Sequence, residues 1–175
     1  NQYFRYFNRE IAEGITTAGQ LSIKWVEKAV NEYLNKLLET DTDYVVAIDT
    51  DSIYVTFEDL IDRVNPKNPV EFLDTIAKEK IEPMINNSYE ELASYMNAYQ
   101  NKMEMGREVI ADKGIWTAKK RYILNVHDSE GVRFKSPKLK MMGIETAKSS
   151  TPMWCRKKLE EGIRTLMNGT ENDVW

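Results

Sequence analysis

One cysteine, Cys155, stands in 175 residues. No internal disulfide can form, and a cysteine metal cluster is excluded. Nowhere does an apolar run approach the roughly 18 residues that a membrane-spanning helix needs. The first residues carry no signal-peptide pattern. These absences suit a reducing cytoplasm and argue against a membrane partner. The patterns Asn86-Asn87-Ser88 and Asn168-Gly169-Thr170 match a glycosylation acceptor but carry no meaning without secretion. Eight glycines form no phosphate-binding loop of recognised spacing. There is no internal repeat and no low-complexity tract. The single histidine, His127, falls in His127-Asp128-Ser129-Glu130-Gly131, which reads as a hairpin turn and leaves the imidazole exposed at its tip. The chain opens on Asn1, without an initiator Met, as expected of a segment of something longer.

What is present is ordinary globular material. Hydrophobic residues make up 42% and charged residues 30%, and the length suffices for one domain with a sizeable core. The net charge of -4 hides an asymmetry. Residues 1–100 carry 9 Lys and Arg against 18 Asp and Glu, whereas residues 101–158 carry 14 against 6. A basic segment following an acidic one suits a polyanion partner. The same charge would also serve as a solvated basic face.

Two carboxylates stand two positions apart in Val45-Val46-Ala47-Ile48-Asp49-Thr50-Asp51-Ser52-Ile53-Tyr54-Val55. The flanking apolar, β-branched runs read as strands buried on both sides. On extended backbone, residues at i and i+2 face the same side, which brings Asp49 and Asp51 to one place near a hairpin turn. Like charges that close repel, and a divalent cation relieves the repulsion. Mg²⁺ takes oxygen ligands, usually one or two carboxylates together with substrate phosphates. The bland alternative is a plain turn, since Asp and Thr satisfy turn backbone with their own side chains.

Around this hairpin the periodicities predict further elements. Leu21, Trp25, Ala29, Tyr33 and Leu37, widened by Val26, Val30 and Leu34, predict an amphipathic helix from about Thr17 to Leu38 with Thr16 or Thr17 as cap. Glu58 to Val64 reads as a short helix, and 65–69 as a loop with two prolines. Val70 to Met96 reads as a helical region that Pro83 kinks or breaks. Met103 to Ile110 alternates as a strand. Ile115 to Val126 reads as one strand, Val132 to Phe134 as the start of the return strand, and 137–144 as extended chain. A last helix opens with Thr151 as cap and Pro152 at its first position. The fold class is α+β: a mostly antiparallel sheet with helices packed on one face, leaving the other to hold a polymer.

On the single strand expected over 115–126, Lys119, Lys120 and Arg121 put three cations in a row before the aromatic Tyr122. Lysine and arginine near an aromatic are the equipment of a nucleic-acid groove. An edge strand protected by charge is the alternative. Lys138 and Lys140, at i and i+2, add cations able to track a phosphate backbone. Glu108 is a candidate third acid, or a surface carboxylate paired with Arg107 or a lysine. Cys155 reads better as small filler than as a reactive thiol, and Trp25, Trp116 and Trp154 as core or platform.

These motifs, in this order, resemble family B DNA polymerases, the replicative group that includes enzymes of tailed bacteriophages. Asp49-Thr50-Asp51-Ser52 resembles the family's second acidic motif. Phe4-Arg5-Tyr6-Phe7 and Ile15-Thr16-Thr17-Ala18-Gly19-Gln20 are similar to the segment after the fingers. Gly106-Arg107-Glu108 resembles the strand carrying an auxiliary acid, and Lys119-Lys120-Arg121-Tyr122 the basic-aromatic motif that holds primer-template duplex. Pro137 to Glu145 and Lys148 to Pro152 are similar to the palm-to-thumb junction. Ala47 departs from the Tyr that the family often has there.

The resemblance implies a partial palm over 1–150 and the start of a thumb over 151–175. It implies template-directed nucleotidyl transfer in DNA replication, with primer-template DNA and a deoxynucleoside triphosphate as partners. Two Mg²⁺ ions would be held by Asp51 as principal ligand, Asp49 as weaker or outer-shell acid, Glu108 as auxiliary, and a further Asp outside this chain. Lys119, Lys120, Arg121 and Tyr122 would hold the duplex, with Lys138 and Lys140 on the primer side. The family's first acidic motif and fingers motif would lie upstream of Asn1, so the isolated chain is expected to be inactive until the remaining polymerase segments are supplied. The alternative is a non-catalytic DNA-binding module or a subunit of a split polymerase. A metal-dependent nuclease is a third reading, and it lacks its own complete acid set.

Overall fold

The computed structural model describes residues 2–169 and Asp173. Thr170 of the second glycosylation pattern lies outside them, as does part of the expected thumb segment. The chain divides into two compact units, residues 1–106 and 107–175. Both are built as expected of an α+β protein, with antiparallel strands throughout the described residues.

The first unit is organised by helix α1, Arg9–Leu38. It begins eight residues before the expected Thr17. The Asn8 side chain accepts from the Ile11 amide at 3.0 Å and satisfies one of the free donors of the first turn. Thr16 does not cap; its hydroxyl donates back to the Ala12 carbonyl at 2.9 Å. The core ridge is Ile23, Val26, Val30, Leu34 and Leu38, one residue per turn of helix. Leu21 and Leu37, expected to lead the apolar stripe, are 38% and 52% exposed.

Strands β1 (Val45–Asp49) and β2 (Ser52–Val55) form a two-stranded hairpin, followed by α2 over the expected Glu58–Val64. Helix α3 (Pro69–Ile76) starts on the Asn68 cap. A π-helical turn over Ala77–Ile81 then leads into α4, Glu82–Tyr95. The expected break at Pro83 thus takes a definite form. Proline has no N–H for the carbonyl four residues back, and its ring crowds that carbonyl. Widening the preceding turn accommodates both, and Pro83 sits in the first turn of α4. Ile81, Ile85, Tyr89 and Leu92 close the core on Val26, Val30, Leu34, Tyr44 and Val45.

The second unit is a three-stranded meander in the order β3 (Val109–Ala118), β4 (Arg121–Ser129), β5 (Val132–Met142), completed by α5, Met153–Asn168. Tyr122 to Val126 in the central strand are all buried. Four expectations fail at 103–108 and in this unit. Residues 103–108 pair with no strand: Met105 instead packs on the helical core of the first unit. The single strand expected over Ile115 to Val126 is two strands joined by a two-residue turn at Lys119 and Lys120. The turn expected over 127–131 shrinks to Glu130 and Gly131, both with positive φ, and His127 belongs to β4 rather than to an exposed tip. At the start of α5 the cap is Pro152, with no side-chain cap bond, instead of Thr151.

Candidate active site and nucleic-acid interface

The β1–β2 register pairs Asp49 with Ser52 and Ile48 with Ile53, which leaves Thr50 and Asp51 as the turn. Asp51 therefore projects from the turn and not from a strand, so the same-face argument for the two acids does not apply. The turn has its own geometry. Thr50 adopts φ +56°, an uncommon conformation for a β-branched residue. The Asp51 amide donates to the Asp49 carbonyl at 2.7 Å, and the Ser52 hydroxyl donates to the same oxygen at 3.1 Å. The Thr50 hydroxyl donates to the Asp49 carboxylate at 3.2 Å. Asp49 is half-buried and Asp51 exposed.

Beneath the turn, Ile48 and Ile53 pack on the helical core. Burial on both sides, expected from the apolar flanks, is not found: a register shift between Val45 and Ala47 leaves Val46 50% exposed. Tyr89 of α4 is buried in the same core. Its phenol is raised above the ordinary tyrosine value, chiefly by burial and then by the negative charge of Asp51. The acidic turn and α4 are thus electrostatically linked. Two carboxylates at one turn fit the oxygen chemistry of Mg²⁺ as part of a donor set. Among the described residues no group of three or more His, Cys, Asp or Glu stands together as a metal cage.

Glu108 belongs to the second unit. Its carboxylate accepts from Lys140 Nζ at 2.6 Å, and its carbonyl accepts from the Glu130 amide at 2.7 Å. Beside it, Arg107 makes a close ion pair with Asp128, whose side chain is only 2% exposed. Asp128 also accepts from the Gly131 amide at 3.1 Å and lies 3.5 Å from Arg133 Nε. Burial alone would raise the Asp128 carboxyl. The bond and charge of Arg107, with Gly131 and Arg133, outweigh it and hold the carboxyl below the usual carboxylate range.

The lysine-rich motif is split by the turn. Lys119 and Lys120 are exposed there, with Lys120 at φ +61°. Arg121 opens β4. Its Nε donates to the Gly143 carbonyl at 3.1 Å, and one terminal nitrogen meets both Glu145 oxygens at 2.8 and 3.0 Å. Glu145 also accepts from Lys148 at 3.0 Å. Its carboxyl is lowered first by that bond, then by its own backbone amide and by the charges of Arg121 and Lys148. Tyr122 is buried beside Trp116, ring centroids 6.4 Å apart. Lys138 lies over the Phe134 ring at 4.1 Å. His127 lies 3.3 Å from Asp112, whose carboxylate also accepts from buried Asn125 at 2.8 Å.

Sequence reasoning missed the Arg107–Asp128 pair and the role of Gly143. A Cβ at Gly143 would run into the Lys120 carbonyl, and its φ of +65° suits glycine.

No protein-family model matches the chain. It is 46% identical over 186 residues to the DNA-directed DNA polymerase of Escherichia phage RB69, and 43% identical over 189 residues to that of Enterobacteria phage T4. The chain is a homologue of part of these phage DNA-directed DNA polymerases. The alignments cover 98% and 99% of it, and 21% of each relative. It spans about a fifth of the length of the curated relatives it matches. Among the described residues no helix is long and apolar enough to cross a membrane.

Proposed function

We propose that this chain is the part of a family B phage DNA polymerase that carries the second acidic motif, with palm material over 1–150 and the start of a thumb over 151–175. The observation that carries this reading is the Asp49–Thr50–Asp51–Ser52 turn, solvent-facing at the end of a hairpin, in a chain nearly half identical to phage polymerases. The activity is template-directed extension of a DNA primer from deoxynucleoside triphosphates, in replication within the infected cell.

Asp51, exposed in the turn, is the principal ligand for Mg²⁺. Asp49 is the weaker or outer-shell acid, its carboxylate oriented by the Thr50 hydroxyl. When bound, the metal lowers the charge barrier between the primer hydroxyl and the incoming triphosphate. Glu108 is an auxiliary acid whose charge Lys140 balances. Lys119, Lys120 and Lys138 meet the phosphates of primer-template duplex, where point-charge lysines supply affinity without reading sequence. A further acid and the nucleotide-gripping residues come from polymerase segments outside this chain.

Primer extension by the complete enzyme tests the reading. Asp51→Ala should abolish extension, and near-normal extension by that variant would sink the assignment. A second reading, a non-catalytic DNA-binding subunit, draws on the excess of basic residues over 101–158. Adding the missing segments as a separate polypeptide separates the two: restored extension supports the enzyme, and salt-sensitive binding without rescue supports the module.

A further inference from the structure

We infer that Arg121 is a positioning residue, which holds the Lys119–Lys120 turn in place for DNA and does not itself meet the phosphates. This rests on the proposed DNA contact by the two lysines and deepens it.

Two residues join β3 to β4, and the second, Lys120, sits in the left-handed region that L side chains disfavour. Such a conformation persists only where the surroundings over-determine it. Here they do. The chain leaving β5 passes against the turn so closely that only a glycine fits at 143. Arg121 fastens that approach from the other side, through Nε to the Gly143 carbonyl and through one terminal nitrogen to both oxygens of Glu145. The Thr117 hydroxyl donates to the Arg121 carbonyl at 3.2 Å and closes the hairpin beneath the turn. The first residue of β4 is thereby fixed to the segment after β5.

The choice of side chain fits this role. A guanidinium offers five N–H groups in a planar fork, so it can serve a carbonyl and a carboxylate together, which a lysine ammonium does poorly. A guanidinium already set on a carboxylate is also neutralised toward phosphate. The two lysines before it are exposed on the turn itself.

The test is the salt dependence of binding by the whole chain to a fluorescent primer-template duplex, followed by anisotropy. Each phosphate contact contributes about 0.9 to the slope of log affinity against log salt. Lys119→Ala should lower the slope by about that amount. Arg121→Ala and Glu145→Ala should each weaken binding on the order of fivefold at unchanged slope. The double variant should be no weaker than either single one. Exchanging the charges, Arg121→Glu with Glu145→Arg, should recover part of the loss, which general damage to the fold would not allow. If Arg121→Ala proves unfolded by circular dichroism, Glu145→Gln carries the test: weaker binding at unchanged slope supports the inference, and tighter binding overturns it. A slope lowered by Arg121→Ala as by Lys119→Ala overturns the positioning role and leaves the lysine contacts standing. No binding by the intact chain, or no effect of Lys119→Ala, overturns the lysine contacts and this inference together.

Discussion

The indole nitrogen of Trp25 donates to the backbone carbonyl of Ser88 at 3.0 Å, 63 residues away, and the Trp25 ring stacks on Tyr95 at 5.8 Å between centroids. One side chain of α1 thus grips α4 at two points, one polar and one apolar. The acidic turn lies over the core that this grip closes. Trp25→Phe keeps a ring and removes the donor. It should cost about 1–2 kcal/mol in urea unfolding, the worth of one part-buried hydrogen bond plus lost ring contact.

Asp128 sets the response of the second unit to acid. Its carboxyl is held below the ordinary value of about 3.9 in the fold, so the unfolded chain binds the proton more readily. The stabilisation is fully present above about pH 4 and is lost as pH falls through the lowered folded value. Asp128→Asn should flatten the stability profile in that acidic window. Arg107→Ala leaves the buried Asp128 charge to the Gly131 amide and Arg133 alone and should cost about 1–3 kcal/mol at neutral pH. Thermal unfolding as a function of pH reads both.

Two glycines in the second unit should respond oppositely to alanine. Gly143 has φ +65° and no room for a Cβ, so Gly143→Ala should lose about 2 kcal/mol or more. Gly162 lies inside α5 with nothing near its absent Cβ, so Gly162→Ala should gain about 0.5–1 kcal/mol from helix propensity. Calorimetric unfolding of the two variants checks the signs.

Asp51 and Tyr89 offer a test of local geometry without any substrate. Burial and then the Asp51 charge raise the Tyr89 phenol. Asp51→Asn should bring its alkaline titration down, still short of an exposed tyrosine because burial remains. Ultraviolet difference absorbance resolves this once the exposed tyrosines are replaced by Phe. An unmoved titration would mean that the acid lies too far away to act.

Part of this fold was legible in the sequence. The hairpin over 44–57 and helix α2 are found where periodicity puts them, because their apolar residues face one core. Alternation over 103–108 misled, since period two reports extended backbone and says nothing of a pairing partner, whereas Val109 and Ile110 do open β3. Met105 finds its burial on helices instead. The turn at 119–120 was invisible for another reason. Neither residue is Gly, Asn or Pro, and the glycine that permits it stands at 143, just after β5. The candidate site divides the same way. Asp49, Asp51 and the lysines announce themselves by type and spacing, whereas the partners of Glu108 and Arg121 arise only when β5 returns beside β4.

Two residues alone bridge β3 and β4, and the second of them holds φ +61°. A slip of one residue in the pairing of β3 with β4 would turn Asn125 away from Asp112 and exchange the two sides of the central strand. A change at the bend is thus tolerated only where the pairing of β3 with β4 stays as it is.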